Sequence, residues 1–277
     1  GISPSLSAPI ISGAAIVPIS TGYQQPVAGV QMNGAINGLT YGISGADTAN
    51  DLYVNPGGAQ DQFQRYWMQI DTAITKRSDA AWAVGEAAGC LDTGVVGNND
   101  YFIHLIARSD TAVVDWLCSL SAFSPTMPAN YNRSRPIGWF RRTAGATVNF
   151  HVQETAGGGL RYRWITPILS VDVAASLTTT QRNDILAIPN GFNTEAHIIA
   201  MVTDAAVYQV ILQSSDETDA APSTSASPGF NLGNYVAGAT GTADLTIFTN
   251  GALYARGSSA TADNYRVITK GFTWSRR

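Results

Sequence analysis

Residues 101–150 read YFIHLIARSDTAVVDWLCSLSAFSPTMPANYNRSRPIGWFRRTAGATVNF, and their pattern decides the fold class. Three apolar runs stand out, Tyr101 to Ala107, Ala112 to Leu120 and Ile137 to Arg141. Short apolar runs about ten residues apart, separated by Gly, Pro, Asn and Asp, are typical of antiparallel β-structure. None of the runs keeps a helical period over three turns. The stretch therefore predicts a domain built of sheet.

Similar runs before and after this stretch bring the predicted total to about a dozen strands without a repeat period. That number suits two antiparallel sheets packed face to face, as in a jelly roll. We expect residues 39–277 to form one all-β, jelly-roll-like antiparallel β-sandwich. At 277 residues the chain is long enough for one large domain or for two smaller ones.

Three local predictions are specific enough to check. The segment 61–76 (DQFQRYWMQIDTAITK) has apolar residues at helical spacing and predicts a short helix or an irregular strand. His197–Val202 and Val207–Leu212 predict a hairpin around Thr203-Asp204-Ala205. Residues 213–231 are rich in Ser and Pro and predict an exposed loop.

Residues 1–38 differ from the rest of the chain, because they contain four prolines and no charged residue. Prolines at that density exclude a helix or a long central strand. The segment is nevertheless more apolar than a solvated linker. We expect an extended docking arm, with a disordered tail as the alternative, and its candidate assembly residues are Ile10, Ile11, Ile16, Val17, Ile19, Val27 and Val30.

Charge is scarce throughout the chain. Charged residues make up 13% of it, lysine occurs only as Lys76 and Lys270, and the formal net charge is −4. Low charge favours a protein that buries surface in an assembly, while a negative net charge argues against nucleic acid as a partner. No apolar run approaches the roughly 20 residues that span a bilayer, so membrane insertion is not expected.

The two cysteines, Cys90 and Cys118, are too few for a disulfide-rich scaffold. We expect two reduced thiols, with Cys118 buried in its strand. A bond between them is the alternative.

Residues able to do chemistry are scattered. His104, His151 and His197 each sit alone in an apolar run, which favours a packing or edge role over metal binding. The acidic residues of the predicted loop, Asp216, Glu217 and Asp219, lack the glycine and terminal glutamate of an EF-hand. We therefore predict neither a metal nor a cofactor.

No nucleophile elbow, P-loop or dinucleotide-binding fingerprint occurs. A glycosidase would need two carboxylates across a cleft. The central candidates are better interpreted as turn or strand-edge residues: Glu86, Asp92, Asp115 and Glu154. We expect no enzyme, and a polysaccharide hydrolase is the least favoured alternative.

A carbohydrate-binding module for a host envelope is the stronger alternative. It would stack sugar rings on exposed aromatic side chains, and the candidates are Trp67, Trp116, Trp139 and Trp164.

Several motifs resemble a virion-protein domain that recurs in tailed bacteriophages. The matching segments are TKRSDAAWAVG (75–85), GCLDTG (89–94), RSDTAVVD (108–115), SAFSPTMP (121–128) and RPIGW (135–139). Shorter matches are DTAND (47–51), RWITPIL (163–169) and GFTW (271–274). The chain departs from the family pattern in having Ala112 for a turn glycine, Cys90 for a glycine and Pro136 for an arginine.

This resemblance covers most of residues 39–277. It implies a structural or attachment role in a tail fibre, tail tip or other surface part of a virion that is assembled in the host cytoplasm, and it supplies no catalytic residues. By analogy with such fibres we expect a homotrimer that contacts other virion proteins and, in attachment, a host surface glycan.

Overall fold

The computed structural model describes residues 34–174, 177–203, 205–206, 208–222, 230–234, 238–258 and 264–276. Within these residues it contains 20 strands and one 3-10 helix, η1 (Ala156–Gly158). The strands form four sheets, which confirms the predicted all-β, sandwich-like class. The candidate arm residues from Ile10 to Val30 lie outside the described residues, so the arm stays a prediction.

The first eleven strands form two sheets, which we call the N-terminal sheets. The strands are β1 (Ile36–Gly38), β2 (Tyr41–Ile43), β3 (Asp51–Val54), β4 (Gly57–Gln60), β5 (Trp67–Ile70), β6 (Ile74–Ala81), β7 (Ala88–Leu91), β8 (Asp100–Ala107), β9 (Val114–Ser119), β10 (Arg133–Thr143) and β11 (Ala146–Thr147). One sheet has the order β1-β4-β5, and the other has the order β11-β10-β8-β9-β7-β6-β3-β2.

The eight-stranded sheet is mixed, because β7 pairs in parallel with both β6 and β9. Strand β5 lies against β8 and β9, so the small sheet covers one face of the large one. The predicted turn between β8 and β9 is present, with the Arg108 amide donating to the Val113 carbonyl at 3.0 Å. Ala112 adopts φ 57° there, the left-handed conformation for which the resembling family uses glycine.

The remaining strands form two further sheets. They are β12 (Phe150–Glu154), β13 (Leu160–Ala174), β14 (Arg182–Ile185), β15 (Thr194–Thr203), β16 (Tyr208–Ser214), β17 (Phe230–Asn234), β18 (Thr240–Thr249), β19 (Ala252–Gly257) and β20 (Asn264–Trp274). Their orders are β12-β13-β20-β15-β18 and β14-β19-β16-β17.

The pairing of β13 to β20 is that of a jelly roll. Of these eight strands the first pairs with the last, the second with the seventh, the third with the sixth and the fourth with the fifth, all antiparallel. Consecutive strands alternate between the two sheets except at the β16–β17 hairpin. This is one long hairpin rolled into two facing sheets. The predicted jelly roll therefore occupies the second half of the chain, with β12 added at one edge.

The N-terminal sheets and the jelly roll share one hydrophobic core. The ring of Trp139, on β10, contacts the rings of Tyr162, Trp164 and Phe272 in the jelly roll at centroid distances of 5.4 to 5.7 Å. The Tyr41 hydroxyl donates to the Trp139 carbonyl at 2.9 Å and accepts from its amide at 3.0 Å. Aromatic contacts thus hold the two halves together.

The helix considered for residues 61–76 is wrong. The Asp61 carboxylate accepts hydrogen bonds from the Arg65 and Tyr66 amides at 2.7 and 3.2 Å, which closes a turn. Gln64 has φ 58° in that turn. The residues after the turn form β5, which pairs with β4. The apolar residues that looked helical in their spacing therefore belong partly to a turn and partly to a strand.

The hairpin predicted between residues 197 and 212 is also wrong. Strand β15 pairs with β18 and β20, whereas β16 pairs with β17 and β19 in the facing sheet. A jelly roll places neighbouring strands in opposite sheets, so closeness in sequence does not indicate pairing here. The polar segment after β16 includes a turn at residues 215–217, and residues 223–229 lie outside the described part of the chain.

The folded region starts earlier than the predicted boundary at residue 39. Ile36–Gly38 is already strand β1, which pairs with β4, and Ile36 belongs to the core.

Cys90 and Cys118 form a disulfide, which corrects the prediction of reduced thiols. Strands β7 and β9 run in parallel side by side, with Leu91 paired to Cys118, and the two Cα atoms of the cysteines are 5.1 Å apart. Both side chains are fully buried. The sequence did not predict the bond because the residues are 28 positions apart and the strands that bring them together are not consecutive.

Candidate functional site

Residues 75–85 and residues 108–115 meet in a buried polar cluster. Lys76, on β6, and Asp115, on β9, form an ion pair with Nζ and Oδ2 3.0 Å apart and side chains 0% and 1% exposed. Lys76 also donates to the Ala83 carbonyl at 2.5 Å. Asp115 accepts from the amides of Gly85 and Trp116 at 2.9 and 2.7 Å. The TKRSDAAWAVG and RSDTAVVD segments are thus joined through their charged residues.

The Trp82 ring lies beside this pair. Lys76 Nζ lies 5.3 Å from the centroid of the Trp82 ring, and the Trp82 indole donates to the Trp116 carbonyl at 3.0 Å. Burial lowers the pKa of Lys76 and raises that of Asp115, while the charge of each partner opposes the effect on the other. A pair enclosed in this way can stabilise the fold, but it offers a substrate no access.

A second cluster links residues 47–51 to β6. The buried Arg142 guanidinium donates to the Ala49 carbonyl at 3.0 Å, to the Asn50 side chain at 2.9 Å and to the Ser78 hydroxyl at 2.6 Å. It therefore joins DTAND (47–51) to the strand that carries TKRSD. The two clusters tie together β6, β9, β10 and the segment before β3 in the N-terminal sheets.

The four central carboxylates do not converge on a cleft. Glu86 accepts from the Thr75 amide at 2.7 Å, and Asp92 accepts from the Thr126 amide at 2.8 Å. Glu154 accepts from the Gly38 amide at 3.2 Å. Together with the enclosed Asp115, each is engaged in local structure.

The three histidines lie apart. His104 is fully buried, its Nε2 donates to the Ser121 carbonyl at 2.9 Å, and burial lowers its pKa to about 4. His197 lies between the hydroxyls of Thr246 and Thr273, and burial lowers its pKa as well. His151 is an exposed residue of β12. The described residues contain no group of three or more His, Cys, Asp or Glu side chains that could hold a metal ion.

The acidic residues after β16 are engaged in the turn and in an ion pair. Glu217 accepts from the Ser214 amide at 2.9 Å, and Asp216 bonds the Ser214 hydroxyl. Asp219 pairs with Arg256 at 2.9 Å. These contacts account for the three carboxylates without a cation.

Three of the four candidate tryptophans cannot stack on a glycan. Trp116 and Trp139 are 0% exposed and Trp164 is 3% exposed, because each packs in the shared core. This corrects their prediction as glycan-stacking residues. Trp67 is the half-buried one of the four, on the outer face of β5.

Two buried arginines mark the place where the N-terminal segment meets the fold. Arg135 donates to the carbonyls of Gly34 and Arg276, the first at 3.3 Å. Arg276 donates to the carbonyls of Gly158 at 2.7 Å and of Gly38 at 3.0 Å. Burial lowers the pKa of Arg276 to about 10. The first described residue is thus held beside the end of β20, a contact that no sequence pattern predicts.

Comparisons with known proteins add little. No family model matches the chain. A solved structure titled "Crystal structure of a Bacillus thuringiensis Cry1Da tryptic core variant" aligns over 86% of this chain and 51% of that one, with 8% identity and a TM-score of 0.17. A likeness this weak supports no statement about fold or function. In the described part of the chain, no helix is both long and apolar enough to cross a membrane.

Proposed function

We propose that this chain is a structural component of a bacteriophage virion, in a tail fibre, tail tip or other surface appendage. In this proposal it assembles as a homotrimer, is recruited by other virion proteins and contributes to attachment to the host. The observation that carries the proposal is the meeting of the phage-like segments at the Lys76–Asp115 pair. Residues that match a family and also form one buried cluster support a shared framework more strongly than scattered matches would.

Two further features support the proposal. Jelly rolls recur in viral coat proteins and in lectins, although a fold alone does not define a function. The uncharged segment of residues 1–33 departs from Gly34, whose carbonyl is held by Arg135. Because Gly34 is held by Arg135, a force applied to residues 1–33 by the particle would be passed to the folded domain.

Light scattering of the full chain tests the assembly part of this proposal. We expect a mass of three times 29.2 kDa. The double substitution Ile16→Asp/Val17→Asp should give monomers, because charge opposes burial of the arm. The matched control Ser12→Asp/Ser20→Asp adds the same charge without removing an apolar side chain and should remain trimeric. A monomeric wild type would contradict self-assembly.

Immunogold electron microscopy tests the location. Antibodies raised against the purified chain should label the tail or another surface appendage of phage particles that encode it. Particles without label would contradict a place in the virion. Because β1 belongs to the fold, any shortened chain for these experiments should begin at Gly34 rather than after residue 38.

A further inference from the structure

The outer face of β5 presents an ordered row of side chains. Trp67 and Gln69 are half-buried, whereas Met68 between them and Ile70 after them point into the core. Asp71 follows on the same face and is exposed. On β1, two strands away, exposed Asn37 lies in the same cross-strand row as Gly58 and Gln69. An aromatic ring, two amides and a carboxylate therefore share one small surface.

Gly58 fixes the orientation of the Trp67 ring. A Cβ atom at Gly58 would stand 2.5 to 2.8 Å from three atoms of the indole, so the ring lies flat across the glycine backbone. No side chain other than hydrogen leaves room for this arrangement. One face of the ring is covered by β4, so the partial exposure of Trp67 is left for the other face.

Hydrogen bonds hold the polar neighbours of the ring in place. The Trp67 indole N–H donates to Gln69 Oε1 at 3.2 Å, and Gln69 Nε2 donates to Asp71 Oδ1 at 2.7 Å. The chain of bonds orders three side chains before any ligand arrives, which lowers the entropy cost of binding. A second amide hydrogen on Gln69 and a second carboxylate oxygen on Asp71 remain as a donor and an acceptor.

This combination matches the chemistry of a pyranose ring. A pyranose has an apolar face of C–H groups, which packs on an aromatic ring, and hydroxyls around its edge, which bond to amides and carboxylates. Bound nucleic acid would instead require a basic surface, and the net charge of the chain is −4.

We propose that Trp67, Gln69 and Asp71 form a binding site for a pyranose unit of a surface polysaccharide, with Gly58 as a positioning residue. The site rests on the proposed role in attachment and names the class of ligand. Binding is measured on the purified protein, so its result is independent of whether the chain is found in a virion.

The experiment follows the six tryptophan indole N–H signals of the full chain by NMR while sugars are added. The probes are maltohexaose, cellohexaose, chitohexaose and a mannose hexamer, each at millimolar concentration. Trp67→Phe identifies the signal of Trp67. We expect at least one sugar to shift that signal and leave the other five in place.

Three variants test whether the sugar binds at Trp67 rather than elsewhere on the protein. Trp67→Ala should weaken binding of the active sugar by at least about tenfold, which corresponds to about 1.4 kcal/mol. Gly58→Ala should weaken it while the Trp67 signal persists, because the added methyl lifts the ring. Phe248→Ala removes an exposed aromatic ring from the jelly roll and should leave binding unchanged. If no sugar moves the Trp67 signal, or if another indole responds instead, the proposal is overturned.

Discussion

The N-terminal sheets and the jelly roll share one core but differ in what specifies them. The N-terminal sheets contain the enclosed Lys76–Asp115 pair, the Arg142 cluster and the disulfide, and their large sheet mixes parallel and antiparallel pairs. In the jelly roll, β15 alternates strictly between core and outer face, and all strand pairs are antiparallel. The N-terminal sheets depend on a few specific polar contacts, whereas the jelly roll depends on a regular alternation of buried and outward-facing side chains. Single substitutions should therefore affect them unequally.

The largest effect is expected from breaking the buried ion pair. Asp115→Ala leaves the Lys76 ammonium buried without its partner and should lower the free energy of unfolding by about 3 to 5 kcal/mol. Urea denaturation measures this loss. The double variant Lys76→Met/Asp115→Leu removes both charges and should lose less than Asp115→Ala. Equal losses would show that packing, rather than the unpaired charge, is responsible.

Removing the disulfide should cost slightly less. Linking two cysteines 28 positions apart restricts the unfolded chain by about 3 to 4 kcal/mol in the loop-entropy model. Cys90→Ala/Cys118→Ala should lower the free energy of unfolding by that amount in guanidinium titrations. A reductant should destabilise the wild type to a similar degree and leave the double variant unchanged. An identical wild-type curve with and without reductant would mean that the thiols are not bonded in solution.

The N-terminal sheets should also weaken in mild acid because of His104. Its pKa is about 4 in the fold, below its ordinary value of 6.5, so the unfolded chain takes up the proton first as pH falls. The contribution of His104 is complete above pH 6.5 and decreases by about 3 kcal/mol as pH falls to about 4. His104→Gln should flatten this part of the stability profile, measured by urea titrations at several pH values. The exposed control His151→Gln should retain the wild-type slope.

The smallest effect is expected from removing one methyl group from the core of each half, because both halves contribute to the same hydrophobic core. Ile198→Val in the jelly roll and Ile103→Val in the N-terminal sheets each remove one methyl group from a fully buried side chain. Each should cost about 0.5 to 1.5 kcal/mol in urea denaturation. Similar losses would place the difference between the halves in their polar contacts. A much larger loss at either site would contradict that division.

In both halves, sequence patterns predicted strands better than they predicted the partners of those strands. The all-β class follows from short apolar runs and turn residues, and the three apolar runs of residues 101–150 became β8, β9 and β10. The hairpin at residues 197–212 failed because strand partners in a jelly roll are set by the rolled hairpin rather than by adjacency.

The site residues were harder to predict. Trp67 was one of four equal candidates, because burial depends on which strands pack together. The neighbours that orient Trp67 are Gly58 and Gln69, and neither belongs to a recognisable sequence motif. Gly58 contributes only the lack of a side chain, which leaves room for the Trp67 ring. The bond between Cys90 and Cys118 likewise depends on a parallel pairing of strands far apart in the chain.

The position of β20 has a consequence for how the protein is made. This strand is the last to be synthesised among the described elements, yet it lies in the middle of its sheet, between β13 and β15. While the ribosome is still translating residues before Asn264, β13 and β15 have no strand between them, and their apolar faces and backbone groups stay open. The jelly roll therefore closes only after β20 has left the exit tunnel. A message truncated before the codon for Asn264 yields a chain in which β13 and β15 each have an unpaired edge. Such a chain is a substrate for chaperones and proteases rather than a smaller working protein.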